Sequence, residues 1–271
     1  MTVKYFEEYK CVYDDYEDLI EVYENDILTC RYKYNNNHQV IREDNLFLGQ
    51  TITYEYNQHH KLIERNYYDY TLKGLQNAKC TDIFIYDKNN PNRIIKYNDE
   101  TFTYDKNGKP LTFRNAKLKF SKNNNLLKLN SFTFRYTKEN LRTSKTIGNE
   151  RTTFYRKQQT LTKQKGANLL TFLYKEEQVC GLIINKKSYL YKKNFNGDIV
   201  GIYNDKHELI CKYAYDCYGN HKYISKKDNN SIDIAEQNPF RFHNNYFDIE
   251  TGLYFNNGKY YDPEINHYIY P

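Results

Sequence analysis

The sequence has no tryptophan, one methionine, five prolines and only five alanines among its 271 residues. Alanine is the best helix former, so its scarcity speaks against a helix-rich enzyme. No apolar run approaches the roughly 18 residues of a membrane-spanning helix. The longest, such as Ile83-Phe84-Ile85-Tyr86, are strand-sized. The first eight residues, MTVKYFEE, contain no apolar h-region, so no secretory signal is visible. Collagenous, coiled-coil and disulfide-scaffold classes are excluded as well. Leu, Ile, Val and Phe together number 63 of 271 residues. That is barely above the roughly 20% floor below which chains tend to stay disordered. What the sequence has instead is tyrosine, 31 of them beside 15 phenylalanines. Tyrosine must therefore supply core area, and each buried hydroxyl then needs a partner or a wet edge.

The net charge of +6 hides an asymmetry. Residues 1–30 carry nine acids against Lys4 and Lys10, while residues 101–195 carry 21 basic and 5 acidic side chains. Such a stretch can attract polyanions: nucleic acid, teichoic acid or an acidic toxin. The plainer reading is a solvated Lys-rich surface that keeps strand edges apart. Lys outnumbers Arg there by 16 to 5, which favours the plainer reading and disfavours nucleic acid, because Arg is the better phosphate fork. The six cysteines contain no Cys-x-x-Cys pair, so zinc spacing is missing and unpaired thiols are expected. Cys217 with His221 invites a nucleophile-and-base reading, but a turn with buried thiols accounts for both.

Internal repeats appear before any single motif does. The unit is an aromatic-x-aromatic strand, an Asp or Asn, a few polar residues and a second apolar strand. Copies begin at 32, 54, 84, 102, 118, 134, 172 and 189, as in Phe102-Thr-Tyr104-Asp105-Lys-Asn107-Gly108-Lys-Pro-Leu111. Aromatics two residues apart share one face of a strand. Asn107-Gly108 offers the positive φ angles of a tight hairpin turn. A hairpin buries only half its surface, so neighbours must continue the sheet. The expected fold is all-β: consecutive antiparallel hairpins forming a curved or spiralling sheet, clear from about residue 27. Residues 1–30 are ambiguous, because Tyr13, Tyr16, Leu19, Ile20 and Tyr23 fit helical spacing while Asp14-Asp15 and Glu17-Asp18 fit turns. They are set apart as an acidic segment or partial first repeat, followed by a hairpin array over 31–180 and a distinct region over 181–271.

That last region, with the repeats before it, resembles the RHS/YD-repeat family and its RHS-associated core. Tyr189-Leu-Tyr191-Lys-Lys-Asn194-Phe-Asn-Gly197-Asp198-Ile199-Val200-Gly201-Ile202 is similar to the family's YYYxKNxxGDIxGI segment. Tyr213-Ala-Tyr215-Asp216-Cys-Tyr218-Gly219 resembles YxYDxWG, with Tyr218 where Trp is usual. Asn238-Pro239-Phe240-Arg241-Phe242 resembles NPxRY. Asp248-Ile-Glu250-Thr251-Gly252-Leu253-Tyr254-Phe255 followed by Tyr260-Tyr261-Asp262-Pro263-Glu264 is similar to DxETGLYYxxxRYYDPE. Leu141-Arg142-Thr143-Ser144-Lys145 resembles the RTSK segment, and Ile41-Arg42-Glu43-Asp44-Asn45 the form found in wall-associated toxin shells of low-GC Gram-positive bacteria. With Asp105 and Gly108 of the repeat, these supply the structural signature residues. The likeness covers about residues 31–268.

The resemblance implies a hollow β-shell that encloses a C-terminal toxin, whose release follows cleavage at an Asp-containing site. Here Asn266 and His267 stand in place of the usual Gly and Arg after the last motif, and the cleavage residues are absent. The chain is therefore expected to be a noncatalytic segment of such a shell, secreted or wall-associated within a larger protein and cytoplasmic if expressed alone. Its partners would be the remaining shell repeats or a toxin and its immunity protein. The alternative is a surface module binding a glycan or polyanionic wall polymer through exposed Tyr and Lys. An enzyme of the toxin-hydrolase type ranks last.

Candidate chemistry is thin. Glu250 and Asp262 invite an acid/base reading, but a turn from Asp248 to Leu253 explains every residue type, with Glu250 or Asp248 pairing with Arg241. Gly197-Asp198 lacks the Gly-Lys-Ser/Thr of a phosphate loop. His59-His60 reads as an exposed turn. No catalytic, cofactor or metal constellation emerges.

Overall fold

A computed structural model describes residues 1–226, 233–256 and 258–269. The fold is nearly all antiparallel β-sheet, 58% strand and 3% helix. Ten strands form one sheet, fourteen a second and four a third, and within each sheet every strand pairs with the next in the chain. The helical spacing in residues 1–30 is resolved as strands: Thr2–Phe6, Tyr9–Tyr13, Leu19–Glu24 and Ile27–Tyr34. The array thus begins at residue 2 and not at 27. Asp14, Asp15 and Glu17 lie in a turn, and Glu24 is buried at a strand end.

The chain forms two compact units. The first contains Met1–Glu100 and Ala214–Lys222, the second Thr101–Tyr213 and Tyr223–Pro271. Both are built on one local rule. At nine turns a side-chain oxygen of Asp, Asn, Ser or Thr accepts the backbone N–H groups two and four residues on, as Asn57 does from His59 and Lys61 and Asp105 from Asn107 and Lys109. The residue three positions on always has positive φ: Glu17, His38, His60, Gly108, Asn124, Asn140, Gly197, His207 and Gly219. Asn107, expected to share that geometry with Gly108, does not. The local oxygen makes the turn without help from distant residues.

Among the described residues, the opposite hairpin ends at Asn25-Asp26, Arg114-Asn115, Glu176-Glu177 and Asn185-Lys186 close through two-residue turns in which both residues have positive φ, while Glu7, Asn98, Asn130, Gly148 and Gln158 have it at the first residue alone. Right-handed strand twist selects this geometry, for which Asn-Gly is the preferred pair. Left-handed backbone costs an ordinary residue about 1–2 kcal/mol. Replacing Glu176-Glu177 by Asn-Gly is therefore expected to stabilise the second unit by about 1 kcal/mol, after allowing for glycine's freedom in the unfolded chain. A higher urea midpoint at unchanged slope would register the gain.

In the repeats the first aromatic of the pair is buried in Tyr54, Phe84, Phe102, Phe134, Phe172 and Tyr213 and half-buried in Tyr32 and Tyr189. The second is half-buried, and the hydroxyls of Tyr34, Tyr56, Tyr136, Tyr174 and Tyr191 are hydrogen-bonded. Tyr34 donates to the Leu19 carbonyl at 2.8 Å and Tyr56 to that of Val40 at 2.7 Å. Leu19 and Val40 hold the same place in successive hairpins, five residues after the turn acceptor, so tyrosine ties each hairpin to the one before it. This is how a chain poor in aliphatic residues makes a core. Two further buried positions lie five and eight residues after the turn acceptor, held by Leu62, Leu126 and Ile199 in the one case and by Val22, Phe113, Leu129 and Ile202 in the other.

Candidate functional site

Besides the half-buried Lys212, eight residues after Asn204, four charged residues occupy those apolar positions. Arg142 replaces the first of them, five residues after Thr137. Glu43, Arg65 and Lys145 replace the second, eight residues after Asn35, Asn57 and Thr137. All four are buried. A charge placed where the repeat requires an apolar side chain must find a partner, and each one does.

In the second unit Arg142 donates from Nη1 to Asp248 Oδ2, and Lys145 Nζ bonds Asp248 Oδ1 at 2.9 Å and Glu250 Oε2 at 2.6 Å. Arg142 also reaches the Tyr260 hydroxyl at 3.3 Å, which meets that of Tyr136 at 2.9 Å. Aromatic rings enclose the guanidinium: Phe255 at 4.2 Å, Phe154 at 4.6 Å and Tyr246 at 5.0 Å. Burial by itself would raise the Asp248 pKa, but the charges of Arg142 and Lys145 override it and hold the carboxyl below its ordinary value. The Asp248 carbonyl accepts the Thr251 and Gly252 amides at 3.0 and 2.9 Å, with Gly252 at φ +71°. The signature residues Arg142, Asp248, Glu250, Thr251, Gly252 and Tyr260 thus converge on one cluster.

Arg241 does not join it. The expected pairing of Arg241 with Asp248 or Glu250 is replaced by Arg142 and Lys145. Arg241 is buried over Phe247 at 4.5 Å and donates to the carbonyls of Ala235 and Asn238 at 3.1 and 3.4 Å. Asn238, fully buried, accepts from the Tyr191 hydroxyl at 2.7 Å and donates to the Phe240 carbonyl at 2.7 Å. The Pro239 carbonyl accepts the Phe247 amide at 2.6 Å. Arg241 therefore ties down a loop of backbone, and sequence neighbourhood with Asp248 was no guide to its partner. Near this loop, Asp198 accepts the His243 amide at 2.7 Å, and Gly197 supplies the left-handed turn before it.

Asp262 is buried beside Arg114 at 3.2 Å and accepts the Glu264 amide at 2.9 Å around Pro263. Burial, offset in part by Arg114, brings its pKa to about 6. Tyr261 donates to Asn266 at 3.1 Å and packs on Tyr268. Tyr270 and Pro271, which end the motif text, lie outside the described residues.

The first unit has its own cluster. Glu43 Oε2 accepts the Cys217 amide at 2.9 Å and the Tyr54 hydroxyl at 3.1 Å, and Oε1 accepts from Asn45 at 2.9 Å. Asn45 also donates to the Tyr215 carbonyl at 2.8 Å. Glu43 and Asn45 therefore hold the 214–222 turn, whose own frame is Asp216 with the amides of Tyr218 and Asn220 and Gly219 at φ +92°. Burial first, and the nearby Asp216 charge second, raise the Glu43 pKa to about 7. Arg65 pairs with Asp82 at 2.6 Å. Cys217 is half-buried with its thiol pKa pushed up by burial, while Cys80 is exposed. Every carboxylate weighed as an acid or base is thus engaged in an ion pair or a turn. Among the described residues no group of His, Cys, Asp and Glu is arranged to hold a metal ion, and no helix is long and apolar enough to cross a membrane.

The signature residues Asp105, Gly108, Gly197, Asp198, Asp216 and Gly219 sit in turns, and the others in the buried clusters. The sequence motifs do not mark Arg114, Arg65, Asp82 or the role of Lys145. The signal that finds Lys145 and Arg65 is a charge at an apolar repeat position.

A hairpin array of this kind, held by buried ionic clusters, defines an all-β hairpin-repeat protein. No family model matches the chain. The chain is similar to the tRNA3(Ser)-specific nuclease WapA of Bacillus spizizenii, 26% identical over 185 residues, and to the tRNA nuclease WapA of Bacillus subtilis, 27% identical over the same length. Each match covers 64% of this chain and 8% of the relative, so the chain spans a small fraction of the relatives' length. By fold it is similar to TcdB2-TccC3 without its hypervariable C-terminal region, with TM-score 0.74 and 14% identity over 97% of this chain and 16% of that one. It is also similar to a TccC3 variant in the Photorhabdus luminescens Tc holotoxin pore, with TM-score 0.67 and 12% identity over 97% and 15% of the two chains. The fold is that of an RHS shell, and the sequence relatives support an RHS-like family for this chain.

Proposed function

We propose that the chain is a noncatalytic wall segment of an RHS-type shell that takes part in toxin delivery. The observation that carries this reading is the charge pattern of the repeat. Its buried charges lie where a wall needs apolar residues, and they pair with each other or with backbone. The shell fold and the WapA relatives support the same reading, with a secreted or wall-associated setting inside a longer polypeptide and other shell repeats as partners. The 31–180 and 181–271 regions would be ordinary wall and closing wall. The tRNA nuclease activity named for the relatives would then belong to parts of them outside the 8% that aligns. Incubation of the purified chain with total tRNA and with peptidoglycan is expected to release no product. Hydrolysis abolished by a point substitution in the chain would contradict the reading.

A second reading, binding to a polyanionic wall polymer or glycan, is favoured by one feature. Lys119 stands directly opposite Lys128 on interior strands of the fourteen-stranded sheet, both exposed and with no acidic partner among the described residues. Like charges placed opposite each other are destabilising, and edge protection does not explain interior lysines. Salt-sensitive retention on wall polymer, lost in Lys119→Ser with Lys128→Ser, would support it.

A further inference from the structure

The Lys119–Lys128 pair is one part of a larger basic face on the second unit. Six consecutive strands, from Ala116–Phe120 to Thr160–Lys165, pair in chain order. Phe134 and Phe154 point to the buried side, so Thr133, Arg135, Arg151 and Thr153 point to the other. Strand register then lines side chains up across the sheet. One row runs Lys119, Lys128, Thr133, Thr146, Arg151, each directly opposite the next. A second row runs Arg135, Ser144, Thr153, Lys165. Lys117 and Lys163 share the face, two residues from Lys119 and Lys165. All seven cations are exposed. No ion pair or side-chain hydrogen bond among the described residues engages any of them.

A face that need only stay dissolved carries both signs interspersed, because like charges set opposite each other repel. Here the acids are kept to the hairpin ends. Asp105, Glu139, Glu176 and Glu177 lie in turns, and Glu150 begins its strand and alternates to the other face from Arg151. Hydroxyls stand between the cations instead. Those of Thr133, Thr146 and Thr153 have no hydrogen-bond partner among the described residues.

The field crosses five strand spacings, about 24 Å, which suits a polymer and exceeds a single small anion. Five of the seven cations are lysine, a point charge and not the fork that Arg offers. Tyr155 is the exposed aromatic of these strands, so the row of stacking platforms that unpaired bases use is missing. Charge and hydroxyl alternating along a row match a ligand in which phosphodiesters alternate with hydroxylated carbons.

We propose that this face binds a linear polyol-phosphate polymer laid across the strands. Its phosphodiesters meet the Lys and Arg side chains, and its hydroxyls bond Thr133, Thr146 and Thr153. This rests on the wall-polymer reading and adds to it the surface, the direction of the bound chain and its chemistry.

The test titrates the full chain with poly(glycerol phosphate) over a range of salt, with tRNA and poly-L-glutamate as polyanions of other chemistry. Poly(glycerol phosphate) is expected to bind more tightly than either at equal charge concentration. Its log affinity should fall linearly with log salt, with a slope no steeper than about −5 for seven neutralised phosphates. Arg151→Ser with Lys163→Ser and Lys165→Ser is expected to weaken binding at least about tenfold and to flatten that slope by about 2. Lys106→Ser with Lys138→Ser and Lys186→Ser removes the same charge from exposed turns. It is expected to stay within about twofold of the parent at physiological salt, where distant charges are screened. If the first triple variant alters the circular dichroism spectrum, Arg151→Gln with Lys163→Gln and Lys165→Gln takes its place. No binding by the parent at low salt overturns the wall-polymer reading and this proposal together. Binding that the face variant weakens no more than the turn variant does overturns this proposal alone, as does equal or tighter binding of tRNA or poly-L-glutamate.

Discussion

Asp248→Ala is expected to destabilise the second unit by about 3–5 kcal/mol, the cost of leaving a buried charge without its partner. Asp248 is fully buried and accepts from both Arg142 and Lys145. Its loss strands Arg142, which is 1% exposed, and leaves Lys145 only Glu250. For a domain of ordinary stability that is a large part of the total. The double variant Arg142→Leu with Asp248→Leu is expected to be much less damaging than the two single changes summed, because leucine is what the repeat carries at the Arg142 position in Leu62 and Leu126. A coupling near zero in that double-mutant cycle would refute the pairing. The pH dependence has a definite sign. The folded-state pKa of Asp248 lies below its ordinary value of 3.8, so its contribution is complete above that value and is lost as pH falls through the lower folded one. The second unit should therefore fail in strong acid, and the double variant less steeply.

Glu43 in the first unit acts with the opposite sign, as does Asp262 in the second, whose pKa is raised to about 6. Glu43 has its pKa raised from 4.5 to about 7 by burial and by Asp216. A raised folded-state value contributes stability below the unfolded one, which is lost as pH rises through the folded one. Between about pH 4.5 and 7 the first unit is thus expected to lose on the order of 3 kcal/mol. Asp216, also raised by burial, acts with the same sign. The Cys217 amide favours the ionised Glu43 carboxylate, so the loss falls on the unit as a whole and not on that bond. Hydrogen exchange at Ile52 is expected to quicken from pH 5 to pH 8 beyond the intrinsic base-catalysed rate, and Glu43→Gln is expected to flatten that excess. An unchanged excess in the variant would contradict the assignment.

How much of this the sequence discloses depends on range. The turn rule is local: an Asx or Ser/Thr acceptor, a positive-φ residue three positions on and an aromatic just before can all be read from consecutive residues. So can the all-β class. Residues 1–30 are ambiguous because Tyr13, Tyr16, Leu19, Ile20 and Tyr23 fall at helical spacing, although Asp14 obeys the same turn rule as Asn35 and Asn57. Arg142 and Lys145 are visible as violations of the apolar pattern once hairpins are aligned on their turn acceptors. Their partner is not visible. Asp248 lies 106 residues from Arg142, and nothing local marks it out from Asp262 or Glu250. Arg241 is nearer in sequence and of the right charge, yet it is used on the carbonyl of Asn238 and on that of Ala235, which also accepts the Tyr213 hydroxyl.

The central claim is that these residues form continuous wall, and electron cryomicroscopy of the whole polypeptide that carries them in the cell tests it most directly. The account predicts that the hairpins continue, strand by strand, into neighbouring repeats and line one side of a closed cavity. A separate domain joined to the rest through a flexible connection, with both sheet edges unpaired, would contradict it.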